Sequence, residues 1–156
     1  MTETEIDSLV DNFTTLVPVF MRMVKQIQYE ILEGKDISSV HLQIMFILKH
    51  NGRLNMSKLG KMIMVPKPNV TVFIDKLIAL GFVEREYNES DRRTVFVNLT
   101  EEGRKYLTGY FEEMKKYFKE LIKNYSIDDQ VHLKSISVNL NYFIDKFKSR
   151  KEKING

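Results

Sequence analysis

No cysteine occurs among the 156 residues. That one absence excludes disulfides, thiolate metal sites and thiol-based redox sensing, while leaving the compartment unconstrained. No apolar run reaches the ~18 residues of a membrane helix, so a membrane is not expected as a partner. The opening residues Met1-Thr2-Glu3-Thr4-Glu5 are acidic, with no basic or apolar stretch behind them, which predicts no targeting segment and a cytoplasmic location. Catalytic signatures are missing as well: there is no Gly-rich phosphate loop, no Gly-x-Ser-x-Gly elbow and no paired-histidine zinc motif. His41, His50 and His132 are scattered without ligand spacing and read as surface or capping residues. These absences predict a non-enzyme with no cofactor and no metal.

Charge is present in both signs but is unevenly placed. Up to Asn51 the acids Glu3, Glu5, Asp7, Asp11, Glu30, Glu33 and Asp36 outnumber Arg22, Lys25, Lys35 and Lys49. From Gly52 to Thr100 the balance reverses, with Arg53, Lys58, Lys61, Lys67, Lys76, Arg85, Arg92 and Arg93 against Asp75, Glu84, Glu86, Glu89 and Asp91. A net charge of +3 is mild, yet its concentration in the middle of the chain marks where a polyanion would be met.

Apolar spacing predicts a mainly α fold with a small β-wing. Residues 6–33 carry a helical stripe wide enough for burial on more than one side, with Pro18 expected to kink or divide it and Gly34-Lys35-Asp36 to stop it. Ser38 or Ser39 caps a second helix that ends at Asn51-Gly52. Ser57 is read as the cap of a short third helix, 58–64. Val65-Pro66-Lys67-Pro68 then forces a turn, and Pro68 suits the first position of a fourth helix that buries Val70, Phe73, Ile74, Leu77 and Ile78 and ends at Gly81. Two short helices and a tight turn form a helix-turn-helix. Two β-rich segments follow, around Val83 and Val97, joined by Asn88-Glu89-Ser90-Asp91 turn chemistry. After Thr100, Glu101-Glu102 open another helix, which breaks at Asn124-Tyr125-Ser126 before the last one. The resulting divisions are an N-terminal helix (1–36), a winged helix-turn-helix core (37–100), C-terminal helices (101–150) and a basic tail (151–156), with fraying expected from Lys148 onward.

The second helix of a helix-turn-helix enters a DNA major groove by its N-terminal end, which singles out Lys67, Pro68, Asn69, Thr71 and Val72. Asn69 can pair with an adenine edge, Thr71 can bond a base or phosphate, and Val72 or Pro68 can touch a thymine methyl. Lys67 suits phosphate, Lys76 lies farther back, and Ser57 with the first N–H groups of the third helix offers another phosphate cradle. On the ribbon, Arg92 and Arg93 project at the tip, and a period of two puts Asp91 beside Arg93 where it can orient the guanidinium.

Gly81-Phe82-Val83-Glu84-Arg85, Asp91-Arg92-Arg93 and Leu99-Thr100-Glu101-Glu102-Gly103 resemble the motifs of the MarR family of bacterial transcriptional regulators, and helix order and length are similar across nearly the whole chain. The resemblance implies a winged helix-turn-helix core flanked by dimerisation helices, in which the first and last two helices of two copies intertwine. It implies Arg93 as a minor-groove arginine, Asp91 as its orienting acid and Arg92 at a variable position facing phosphate. The chain departs from the family at three places: Val72 stands where Arg is frequent, Pro68 where Ser is frequent, and Gly60 where Ala is frequent. A homodimer fits the wide stripes independently, because a monomer of this size would leave much apolar surface wet, and two copies would read a pseudo-palindrome in double-stranded DNA.

The family also commonly binds a small aromatic or phenolic ligand between dimer helices and core. The residues of suitable chemistry are Met21, Tyr29, His41, Met45 and Tyr110, although a methionine or aromatic at such spacing is more commonly plain core. The function expected is therefore a ligand-responsive repressor that binds its operator as a homodimer. The rival is a winged helix that docks proteins or acts as an antirepressor without touching DNA. Acids on the fourth helix would favour that rival, and Asp75 is the only one there.

Overall fold

The computed structural model describes residues 1–87 and 95–155, the side chains of Lys67 and residues 151–155 excepted. Its elements are α1 (Glu3–Leu32), α2 (Ser39–Asn51), β1 (Leu54–Asn55), α3 (Met56–Ile63), α4 (Lys67–Ala79), β2 (Val83–Tyr87), β3 (Val95–Leu99), α5 (Glu101–Lys123) and α6 (Ile127–Asn155). Contacts divide the chain into two compact units, Met1–Glu113 and Met114–Gly156.

In the first unit α1 runs unbroken through Pro18, so of the two expected effects, a kink or a division, the division is absent. It also starts earlier than the apolar stripe, because Thr2 and Glu5 form a reciprocal capping box: the Glu5 N–H donates to Thr2 Oγ1 at 3.3 Å and the Thr2 N–H donates to Glu5 Oε2 at 2.7 Å. Ser38 is the N-cap residue of α2. The cap of α3 is Asn55 rather than Ser57, its Oδ1 accepting from the Lys58 N–H at 2.8 Å; both residues suit a cap, and the chain enters the helix two positions sooner than expected. Lys67 takes the first position of α4 and Pro68 the second, where its missing N–H is equally harmless.

The three strands form one antiparallel sheet in the order β1-β3-β2. Leu54 opposes Val97, while Val83, Arg85 and Tyr87 oppose Leu99, Val97 and Val95. The two-residue β1 was not expected, since a pair of residues carries no period. The core lies where the sheet meets the helices: Ile44, Met45 and Leu48 of α2, Leu59 of α3, Val70, Ile74 and Leu77 of α4, Val83, Val97 and Leu99 of the sheet and Leu107 of α5 are all essentially inaccessible.

A junction between α4, the sheet and α5 fixes their arrangement. Gly81, at φ +74°, ends α4 with paired bonds, Gly81 N–H to Ile78 O at 2.8 Å and Phe82 N–H to Leu77 O at 2.9 Å. Thr100 bonds to the same corner twice, from its hydroxyl to Gly81 O (2.7 Å) and from its N–H to Phe82 O (3.1 Å), and its Oγ1 accepts the Gly103 N–H at 3.0 Å. Gly103 packs so closely that a Cβ would stand 2.2 Å from Phe82 O.

The second unit holds the end of α5 and the whole of α6. Ser126 accepts from the Asp129 N–H at 3.2 Å and starts α6. That helix continues to Asn155, so the expected fraying from Lys148 is not seen. Among the described residues no helix is long and apolar enough to cross a membrane.

Gly103→Ala is expected to lower stability by about 3 kcal/mol through backbone collision. Gly109→Ala, also in α5 but with nothing within 4 Å of the added carbon, is expected to raise it by about 0.5–1 kcal/mol. Urea unfolding of the two variants reads both signs.

Candidate nucleic-acid interface

The helix-turn-helix is built by α3, its turn and α4. Met64 closes α3 in the left-handed region at φ 55°, its N–H bonded to Gly60 O. Pro66 then accepts from the Asn69 and Val70 N–H groups at 3.0 and 3.3 Å, starting α4. Gly60 faces the second helix, and a Cβ there would meet Val70 Cγ2 at 3.3 Å. A glycine costs helix stability, but at this position it lets α3 and α4 approach closely, which accounts for the departure from alanine. Beside it lies a groove of about 330 Å³ lined by Met56, Ser57, Gly60, Lys61, Met64 and Val65.

With Val70, Ile74 and Leu77 buried beneath it, α4 presents Pro68, Asn69, Thr71, Val72, Asp75 and Lys76 on its exposed side. Ser57 and Lys61 are exposed on α3. Lys67 opens α4. Lys76 Nζ lies 3.8 Å from Asp36, so its charge is partly engaged away from the front of the helix. Asp91, Arg92 and Arg93 lie outside the described residues.

Two further arginines organise the base of the wing. Arg85 of β2 donates from Nη2 to Asp75 Oδ1 of α4 at 2.6 Å. Arg53, just before β1, holds Glu86 at 3.1 Å and stacks 4.9 Å from the Phe96 ring centre. Neither pairing was expected. Asp75 and Arg85 are ten residues apart, and only the turn at Gly81 brings them together.

The five residues of ligand-binding chemistry fall into two groups. Met45 is completely buried in the core, and His41 and Tyr110 are 8% and 5% exposed, whereas Met21 and Tyr29 on α1 are 56% and 71% exposed. His41 Nδ1 accepts from the Ser38 N–H at 2.9 Å, with Ser38 Oγ at 2.8 Å, and the ring meets Phe73 of α4 edge-on at 5.2 Å. That acceptor role places the ring proton on Nε2, which has no hydrogen-bond partner. Tyr110 Oη also lacks one in good geometry, with Gln28 facing it. Burial pushes the Tyr110 phenol above its ordinary 10.0. Burial, and then the Lys76 charge, push His41 below its ordinary 6.5.

Because His41 is harder to protonate folded than unfolded, its stabilising contribution is complete above about pH 6.5 and declines as pH falls below that. Urea unfolding between about pH 7.5 and about pH 5 should show the wild type losing more stability than His41→Gln.

A sequence profile of the MarR family matches residues 37–95. The HTH-type transcriptional regulator YfiV of Bacillus subtilis is 33% identical over 78 residues, 50% of this chain and 49% of that protein; the chain thus spans about half the length of this curated relative. The transcriptional regulator Tm0710 of Thermotoga maritima has the same fold, with a TM-score of 0.72 at 19% identity over 89% of this chain and 98% of that one. A mutant MarR from E. coli, solved with operator DNA, aligns with a TM-score of 0.59 at 22% identity over 84% of this chain and 94% of its own. The matched profile covers the helix-turn-helix and β2, and the fold is shared beyond it, so over residues 37–95 the chain is similar to the MarR family.

Proposed function

We propose that the protein is a DNA-binding transcriptional regulator that grips a pseudo-palindromic operator as a homodimer and represses until a small ligand displaces it. The observation that carries this reading is the exposed start of α4, where Pro68, Asn69, Thr71 and Val72 stand clear of the core on a helix positioned from behind by Val70, Ile74 and Leu77. Exposed groups at the front of such a helix reach base edges, while the lysines around it meet phosphate. The E. coli MarR bound to operator DNA supports the same assignment. Arg93 with Asp91 and Arg92 supplies the second contact, in the minor groove and on the backbone.

Exposed apolar surface supports the homodimer. On α1, Leu9, Val10, Leu16, Val17 and Phe20 are 45–63% exposed in the single chain, and on α6 Val131, Ile136 and Val138 are about 60% exposed. Patches this large are rarely left in water. For the effector, the buried and unpartnered His41 Nε2 supports a small aromatic or phenolic molecule carrying a polar group. The cytoplasm is the compartment in which such a regulator would work.

Fluorescence anisotropy with a random-sequence duplex tests the DNA reading: binding at low salt that falls steeply as salt rises supports it, and a flat response overturns it. On a duplex selected from genomic fragments, Asn69→Ala should cost ~1–3 kcal/mol and relax base preference, whereas Lys67→Ala should reduce the salt slope by about one. Arg93→Ala should weaken binding as well. In sedimentation, Leu16→Lys should shift a wild-type dimer toward monomer.

A further inference from the structure

We propose that Arg85 is a charge mask and positioning residue for the DNA-reading helix: by holding Asp75 from the adjoining strand, it removes a carboxylate from the surface that would meet phosphates. This rests on the DNA-binding reading above and adds a role for two residues outside the contacts proposed there.

The placement of Asp75 creates the difficulty that Arg85 resolves. On α4 it lies four residues after Thr71 and three after Val72, one turn behind them on the same exposed face. Its side chain is 55% exposed even when paired. An unpaired carboxylate there would repel a duplex approaching that face.

Arg85 is delivered to it by strand register. Val83 opposes Leu99 and Arg85 opposes Val97, so alternation puts Arg85 on the sheet face whose neighbours Val83, Val97 and Leu99 are buried. That is the face packed toward α4, and the guanidinium reaches Asp75 Oδ1 at 2.6 Å. The Arg85 side chain is 32% exposed, against 55% for Asp75, so the arginine is the more covered partner of the pair. On the opposite face Arg53 holds Glu86 at 3.1 Å, so each of these wing-base arginines is turned toward an acid.

A charge cycle read by anisotropy on one duplex, with thermal melting of every variant, tests the assignment. Arg85→Gln should weaken binding about tenfold by unmasking Asp75. Asp75→Asn should bind as tightly as wild type or up to about fivefold tighter, because it leaves a freed cation beside the duplex. Arg85→Gln with Asp75→Asn should return to within about threefold of wild type, and Arg85→Lys should keep most of the affinity. Two results overturn the mask. If Asp75→Asn alone weakens binding as much as Arg85→Gln, the pair is only a strut. If the double variant stays as weak as Arg85→Gln and its salt slope falls by about one, Arg85 contacts phosphate directly. Asp75→Asn keeps the test decisive should Arg85→Gln melt below the assay temperature. Failure of the wild type itself to bind duplex at low salt would count instead against DNA binding, a separate outcome.

Discussion

The corner at Gly81-Phe82 is the constraint on which the rest of the first unit depends. Three elements end or begin there, and each uses the backbone of the others: α4 is closed by the Phe82 N–H, the sheet returns through Thr100 to Gly81 O and Phe82 O, and α5 starts on the Thr100 hydroxyl. The Arg104 guanidinium adds a bond to Leu99 O at 3.1 Å, and Phe82 and Tyr106 stack with ring centres 4.5 Å apart. Two motifs separated in sequence, Gly81-Phe82-Val83 and Leu99-Thr100-Glu101-Glu102-Gly103, are therefore the two halves of one joint. Gly81 is needed for its positive φ and Gly103 for its missing side chain. The angle between α4 and the strands follows from backbone bonds that leave little freedom.

Most of the fold was legible because its signals are local. The 3.6-residue spacing of Val70, Phe73, Ile74, Leu77 and Ile78 gave α4, and the alternation through Val95, Val97 and Leu99 gave β3. Turn chemistry at Asn51-Gly52 and Gly81 marked helix ends within a residue or two. Pro18 does not divide the helix because proline's penalty in a helix interior is large but finite, and a helix of thirty residues has many other bonds to hold it. Thr14 and Thr15 also bond their hydroxyls to the carbonyls of Val10 and Asp11 at 2.6 and 3.0 Å in that stretch. The capping box at Thr2 and Glu5 was readable, but it lies ahead of the apolar stripe that drew the boundary.

The site was less legible, for a physical reason. Exposed residues on a known helix face can be listed from spacing, which placed Pro68, Asn69, Thr71 and Val72. Whether a charge is free or engaged depends on tertiary approach, and no periodicity reports it. Asp75 stood out as the one acid on α4 and proved to be paired; Lys76, expected farther back on that helix, lies near Asp36. His41 looked like a surface or capping group and is a cap that is also buried against Phe73. Gly60 looked like a weak point in α3 and is the contact that lets the two helices meet.

The strand order carries a consequence for variation. Because β3 lies in the middle and is bonded along both edges, the base of the ribbon is stitched through β1 to the segment between α2 and α3, and cannot swing as a hinged flap. Insertions or exchanges between Tyr87 and Val95 leave those stitches, and hence the side-chain alternation, in register. The paired strands thus form a handle whose geometry is set from the helix side rather than from its far end.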